Sequence, residues 1–139
     1  MQWSEELSLG IAEIDQHHMI LVDCISLVEE AVTARTPGSA VHASFGRLAD
    51  FARIHFAVEE SVMRILQYPQ LEGHAEQHRQ FSYDLMALQQ KSFKNDVSQE
   101  MVAFLAKWWQ DHILTSDKHY ASYLPALYAQ RRAKNIGTA

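Results

Sequence analysis

Two long apolar seams in the middle of this chain are each broken by a pair of polar residues. Leu48, Ala52, His55, Glu59, Val62 and Leu66 step by four and three, which is the spacing of one α-helical face. Leu71, His74, His78, Phe81, Leu85 and Leu88 repeat the pattern. A third stretch puts Met101, Leu105, Trp108 and His112 on one face, with Asp117 five residues beyond the histidine. Burying imidazoles and carboxylates without partners costs several kcal/mol, roughly, and more for the charged groups. A fold that buries these faces must bring the polar groups to one another or to a cation.

Turn residues divide the chain into four long periodic segments. The first covers about residues 15–35, with Ile14, Leu21, Ile25, Val28 and Val32 at helical spacing, and ends in Thr36-Pro37-Gly38-Ser39. The second covers about 40–67 and closes at Tyr68-Pro69, because the residue before a proline disfavours the α region. The third covers about 70–91. Asn95-Asp96 offers an N-cap for the fourth, with Gln99 placed as in a capping box. A shorter helix over 120–132, interrupted by Pro125, is expected to cover one end, and a tail over about 131–139 to be solvated. The opening, about 1–11, lacks helical spacing and reads as an arm. With 139 residues, five Gly and three Pro, the expectation is a single all-α domain: an up-down-up-down four-helix bundle with an N-terminal arm and a short C-terminal helix.

Charge and cysteine usage exclude several functions. A net charge of −5 argues against a general grip on nucleic acid. No apolar run is long enough to span a bilayer, and Met1 to Glu6 is too polar and acidic for a leader. Cys24 is the only cysteine, which leaves no internal disulfide and no thiolate metal site, and the expected compartment is the cytoplasm. No wide apolar stripe marks the outer faces, so a monomer is expected.

The chemistry is concentrated in His55-x-x-x-Glu59, His74-x-x-x-His78 and His112-x-x-x-x-Asp117. The i, i+4 pairs stack their side chains on one face. Five α-helical residues turn through about 500°, which leaves Asp117 roughly 140° away from His112 unless the helix widens to a π-type turn or breaks. The first segment adds His17, one turn before Leu21. His18, about 100° further round, is expected to be a partly exposed neighbour. His42 and His119 are read as solvent-facing, and Glu60 as a surface charge. Five imidazoles and two carboxylates are too many for one tetrahedral zinc. They suit two octahedral first-row metals with shared bridges, and the nitrogen-rich set favours iron over calcium or magnesium. The chain has no Glu-x-x-His, so the Glu-rich di-iron pattern does not apply.

These residues resemble the hemerythrin family, and within it the bacterial single-domain bacteriohemerythrins. The resemblance rests on four signatures in order: Ile11 to His17; His55-Phe56-Ala57-Val58-Glu59; Tyr68-Pro69 followed by His74 to Phe81; and Trp108 followed by His112 to Tyr120. It implies a non-haem di-iron centre in which His74, His78 and His112 hold one iron and His17 and His55 the other. Glu59 and Asp117 would bridge them together with an oxo or hydroxo group. It also implies reversible uptake of dioxygen as a hydroperoxide at one open iron, for carriage, storage or sensing, and an unidentified reductant. Trp109, Phe56, Cys24 and Leu21 are expected to line the oxygen pocket, and Tyr120 to hydrogen-bond beside the site. Where the family commonly has an aliphatic residue three positions before the last histidine, this chain has Trp109, whose bulk narrows the pocket or whose N–H reaches a ligand. The alternative is a di-iron enzyme of the same fold with peroxidase-like or nitric-oxide-handling activity. A metal-free helical interaction module is a third reading, and it requires the buried His and Glu to satisfy one another.

Overall fold

A computed structural model describes residues 1–35 and 38–137. Among them every regular element is helical. Helix α1 spans Ala12–Thr33, α2 Gly38–Ile65, α3 Leu71–Lys91 and α4 Ser98–His112, followed by a π-helical turn, Ile113–Asp117, and by α5, Lys118–Gly137. Helix α1 packs against α2 and α4, and α3 packs against the same two, which closes a ring of four. Short connections between sequential neighbours make this the expected up-down-up-down bundle.

The helix ends follow from local chemistry. At the end of α2, Gln67 adopts φ 58° and the Tyr68 N–H reaches back to the Met63 carbonyl at 2.8 Å. This left-handed closure satisfies carbonyls the helix would otherwise orphan, and Pro69 then prevents continuation. The first inter-helix turn was expected at residues 36–39; Thr36 and Pro37 lie outside the described residues, and α2 already begins at Gly38. The start of α4 differs from the capping-box expectation. Val97 is the N-cap residue, and Asp96 accepts the Ser98 N–H at 3.0 Å without Gln99 taking part.

The arm contains one short 3-10 turn, Glu5–Leu7, which buries Leu7. Asp15 ties it to α1 by accepting the Leu9 N–H at 2.8 Å and the Ser8 hydroxyl at 2.6 Å. Gly10 makes the corner at φ +75°, a region costly for any residue with a Cβ. Helix α5 is longer than expected: it runs through Pro125 instead of breaking there, and residues 131–135 are helical and exposed.

Two apolar clusters lie at either end of the interior. The larger one includes Leu21, Ile25, Leu48, Phe81, Leu105 and Trp109. The smaller one joins Met63, Tyr68 and Tyr120, capped by Leu124 and Leu127 of α5. Leu105 is fully buried in the larger cluster. Leu105→Ala is expected to cost about 2–5 kcal/mol, read as a lower urea midpoint at unchanged slope.

Candidate metal centre

Between the two apolar clusters, each helix of the bundle turns polar side chains inward. His18, His55, Glu59, His74, His78, His112 and Asp117 are all buried. The positions on α2 and α3 follow directly from i, i+4 spacing. Asp117 needs the π turn: widening the helix over Ile113–Asp117 brings a residue five positions after His112 back to the interior. Its Oδ1 lies 3.0 Å from His112 Nε2.

The two carboxylates divide their oxygens between two groups of histidines. Glu59 Oε1 lies 2.8 Å from His74 Nε2 and 3.2 Å from His78 Nε2, while Oε2 lies 3.3 Å from His55 Nε2 and 4.0 Å from His18 Nε2. Asp117 Oδ1 faces His74 at 3.1 Å as well as His112, and Oδ2 faces His18 Nε2 at 3.2 Å. One group is therefore His74, His78 and His112, the other His18 and His55, and Glu59 and Asp117 belong to both. Within each group the candidate ligand atoms lie within 4.8 Å of one another. The two-histidine group is fully shielded from solvent, whereas the other three histidines are 2–4% exposed.

The donor set fits a metal better than it fits itself. Both Asp117 oxygens are buried and accept no hydrogen bond among the described residues, although three ring nitrogens stand within 3.2 Å. Nε2 meets Nε2 at 3.2 Å between His78 and His112, and again between His18 and His55. Two lone pairs facing one another at that distance need a proton or a cation between them. Burial alone would raise the Glu59 carboxyl, but hydrogen bonds from His55, His74 and His78 outweigh it and hold it well below the usual range. Burial and the Glu59 charge would likewise raise Asp117, yet His112 and His18 keep it lowered. Burial alone would lower His74; its hydrogen bond to Glu59 and the nearby Asp117 and Glu59 charges carry it to about 9. The carboxylates are thus ionised and the cage is anionic at its centre.

A surrounding set of groups fixes the ring orientations. Glu60 Oε2 lies 2.9 Å from His78 Nδ1, and Gln77 Oε1 3.0 Å from His112 Nδ1. Gln77 is held in turn by the Ser116 hydroxyl at 2.6 Å. Tyr120 donates its hydroxyl to Glu59 Oε2 at 3.0 Å and, with its ionisation pushed up first by burial and then by Glu59 and Asp117, stays a neutral donor. Phe56 stacks on His78 with centroids 3.9 Å apart, and Trp108 stacks on His112 at 4.4 Å.

Three sequence expectations need correction. His17 is not in the cage: it is half-buried, with Nδ1 3.1 Å from His55 Nδ1, so it orients a cage histidine from behind. Burial, then the neighbouring His55 and His18, push its ionisation down, which keeps it a neutral partner. His18, expected to be partly exposed, takes the inward position at 0% exposure. The signal was in the periodicity, since Ile14, His18, Leu21, Ile25 and Val28 step by four and three like the other seams. Glu60 is no free surface charge but the partner of His78, and Gln77 carries no sequence signal for its role. Of the expected pocket residues, Trp109, Phe56 and Leu21 are buried, while Cys24 is half-buried at the margin of the larger apolar cluster. His119 is exposed, with its Nδ1 against the Tyr68 hydroxyl, and His42 is half-buried on the Phe93 ring at 5.7 Å.

Comparisons with known proteins point the same way. Residues 9–124 match the family described as "Hemerythrin HHE cation binding domain". A bacteriohemerythrin of Stenotrophomonas maltophilia is 29% identical over 89% of this chain and 81% of its own length. One from Clostridium acetobutylicum is 27% identical over 85% of this chain and 96% of its own length. A myohemerythrin of Theromyzon tessulatum is 25% identical over 88% and 92%, respectively. The fold superimposes on the crystal structure of a hemerythrin with one leucine changed to tyrosine, with a TM-score of 0.81, 25% identity, and 91% and 96% of the two chains covered.

His18→Ala and His17→Ala separate the cage from its support. His18→Ala is expected to lose at least half of the bound metal by atomic emission analysis. His17→Ala is expected to keep the stoichiometry and lose about 10–100-fold in affinity, the size typical of removing a ligand's outer partner.

Proposed function

We propose that this chain, which belongs to the hemerythrin family, is an oxygen-binding protein whose two histidine groups would each hold one iron, with dioxygen taken up reversibly on the two-histidine side. His74, His78 and His112 would hold the first iron, His18 and His55 the second, and Glu59 and Asp117 would bridge them, together with an oxo or hydroxo group. The observation that carries this is the split of both buried carboxylates across unequal histidine groups. Three nitrogens and two oxygens on one side, against two and two on the other, would leave a metal held by His18 and His55 with more room for an added ligand. When bound, the iron pair supplies the electrons and the exchangeable coordination position for dioxygen.

The protein's own part is to hold that pair and to control protons. Glu59 and Asp117 fix the separation of the groups, because each oxygen is already committed to a different side. Glu60, Gln77 and His17 lock the tautomers of His78, His112 and His55 by engaging their Nδ1 atoms, which leaves Nε2 as the ligand atom. Tyr120 donates to Glu59 Oε2 and restrains that carboxylate. The 0% exposure of His18 and His55, with Phe56, Leu21 and Trp109 buried nearby, keeps bulk water away from the ligand-binding side. A dry wall withholds the protons that would drive reduction onward, which favours release over turnover. One chain supplies the whole cage, so the site needs no second subunit and a monomer suffices. No helix among the described residues is long and apolar enough to cross a membrane. Cytoplasmic residence is our reading of the lone free thiol, Cys24.

Anaerobic reduction followed by oxygen titration tests the reading. The ferrous protein is expected to colour with oxygen and bleach under vacuum over repeated cycles. Colour that does not reverse, with added hydrogen peroxide consumed, would instead establish the enzymatic alternative. Glu59→Ala is expected to lower iron per chain well below two equivalents; unchanged iron content would refute its bridging role.

A further inference from the structure

The Trp109 indole is fully buried, and its Nε1–H has no acceptor among the described residues. Leaving a buried donor unpaired is unfavourable, and native interiors avoid it, so each exception calls for a cause. The surroundings narrow the cause. One ring face is stacked on Phe56, with centroids 5.4 Å apart and planes at 16°. The other ring neighbours include His55 at 5.9 Å, His18 at 6.4 Å and His112 at 6.4 Å. Trp109 therefore borders both histidines of the ligand-poorer group. The cage carboxylates take their contacts from histidines and Tyr120 and none from this indole.

We propose that Trp109 is a specificity-determining residue whose indole N–H donates a hydrogen bond to a small anionic ligand held beside His18 and His55. The ligand class is a two- or three-atom anion that binds a metal through one end and presents an acceptor at the other. Bulk favours a small guest, because a larger one would press on the indole and its stack with Phe56. Chemistry sets the selection, because only a ligand with an outer acceptor satisfies the N–H, and ligands lacking one leave it orphaned. The proposal rests on the di-iron reading above, since an anion needs the metal for its first contact.

The test uses iron-loaded oxidised protein, with sodium azide as the probe, and compares wild type with Trp109→Phe after iron per chain has been measured in each. Phenylalanine keeps an aromatic surface and removes the donor. Azide affinity, read from the ligand-to-metal absorption band, is expected to fall about tenfold or more in Trp109→Phe, the size set by a hydrogen bond to a charged acceptor. The azide stretching frequency is expected to shift in deuterium oxide for wild type and not for the variant, a signature that packing alone does not give. Equal affinities at equal iron content would overturn the proposal and leave the di-iron reading standing. Weaker binding in the variant with no isotope shift in wild type would also overturn it, because Trp109 would then act through packing. A wild-type chain that holds no iron would overturn both.

Discussion

Two buried carboxylates, each with its oxygens turned toward different histidines, set the terms for the rest of this molecule. Glu59 and Asp117 are completely buried and ionised, and their charge is answered by imidazole nitrogens from every helix of the bundle and by the Tyr120 hydroxyl. Separating α1 or α3 from the ring would strip partners from both. The bundle's register is thus fixed by polar contacts at its waist and by apolar packing at its two ends. Buried polar groups are weak contributors to net stability but strong selectors of one arrangement, and that is the role assigned to them here.

Much of this was legible before any coordinate was available. The four-and-three seams of α2 and α3 located Glu59, His55, His74 and His78, because a regular helix maps spacing onto direction without further information. His112 and Asp117 posed a geometric conflict in a regular helix, and the conflict itself pointed to a local widening, which Ile113–Asp117 provides. On the first helix the seam and the structure differ by one residue. His17 and His18 are adjacent, both are compatible with the neighbouring apolar residues, and the packing of α1 on α2 and α4 decides that His18 turns inward. A rotation of about 100° per residue makes such a difference a change from cage to exterior.

Other parts were not legible because they depend on packing between segments distant in sequence. Glu60 reaches His78 across 18 positions, and Gln77 reaches His112 across 35. Neither has a pattern of its own, and Gln77 is an exposed residue on its helix. The continuation of α5 through Pro125 is also a tertiary effect: Leu124 and Leu127, on either side of the proline, pack on the Met63–Tyr68–Tyr120 cluster and hold the helix together there. Trp109 illustrates both sides. Its nearness to His112 followed from helical spacing, whereas its unpaired N–H and its place between Phe56 and the two-histidine group required the folded structure.

In the proposed centre the shared carboxylates would join two metal ions of unequal surroundings into a single electronic unit. A Mössbauer spectrum of protein loaded with iron-57, recorded at low temperature and in an applied field, addresses it directly. Two iron sites of equal area, diamagnetic together through coupling across their bridges, are the result expected. A single paramagnetic iron site, with the remaining histidines free to titrate, would contradict it.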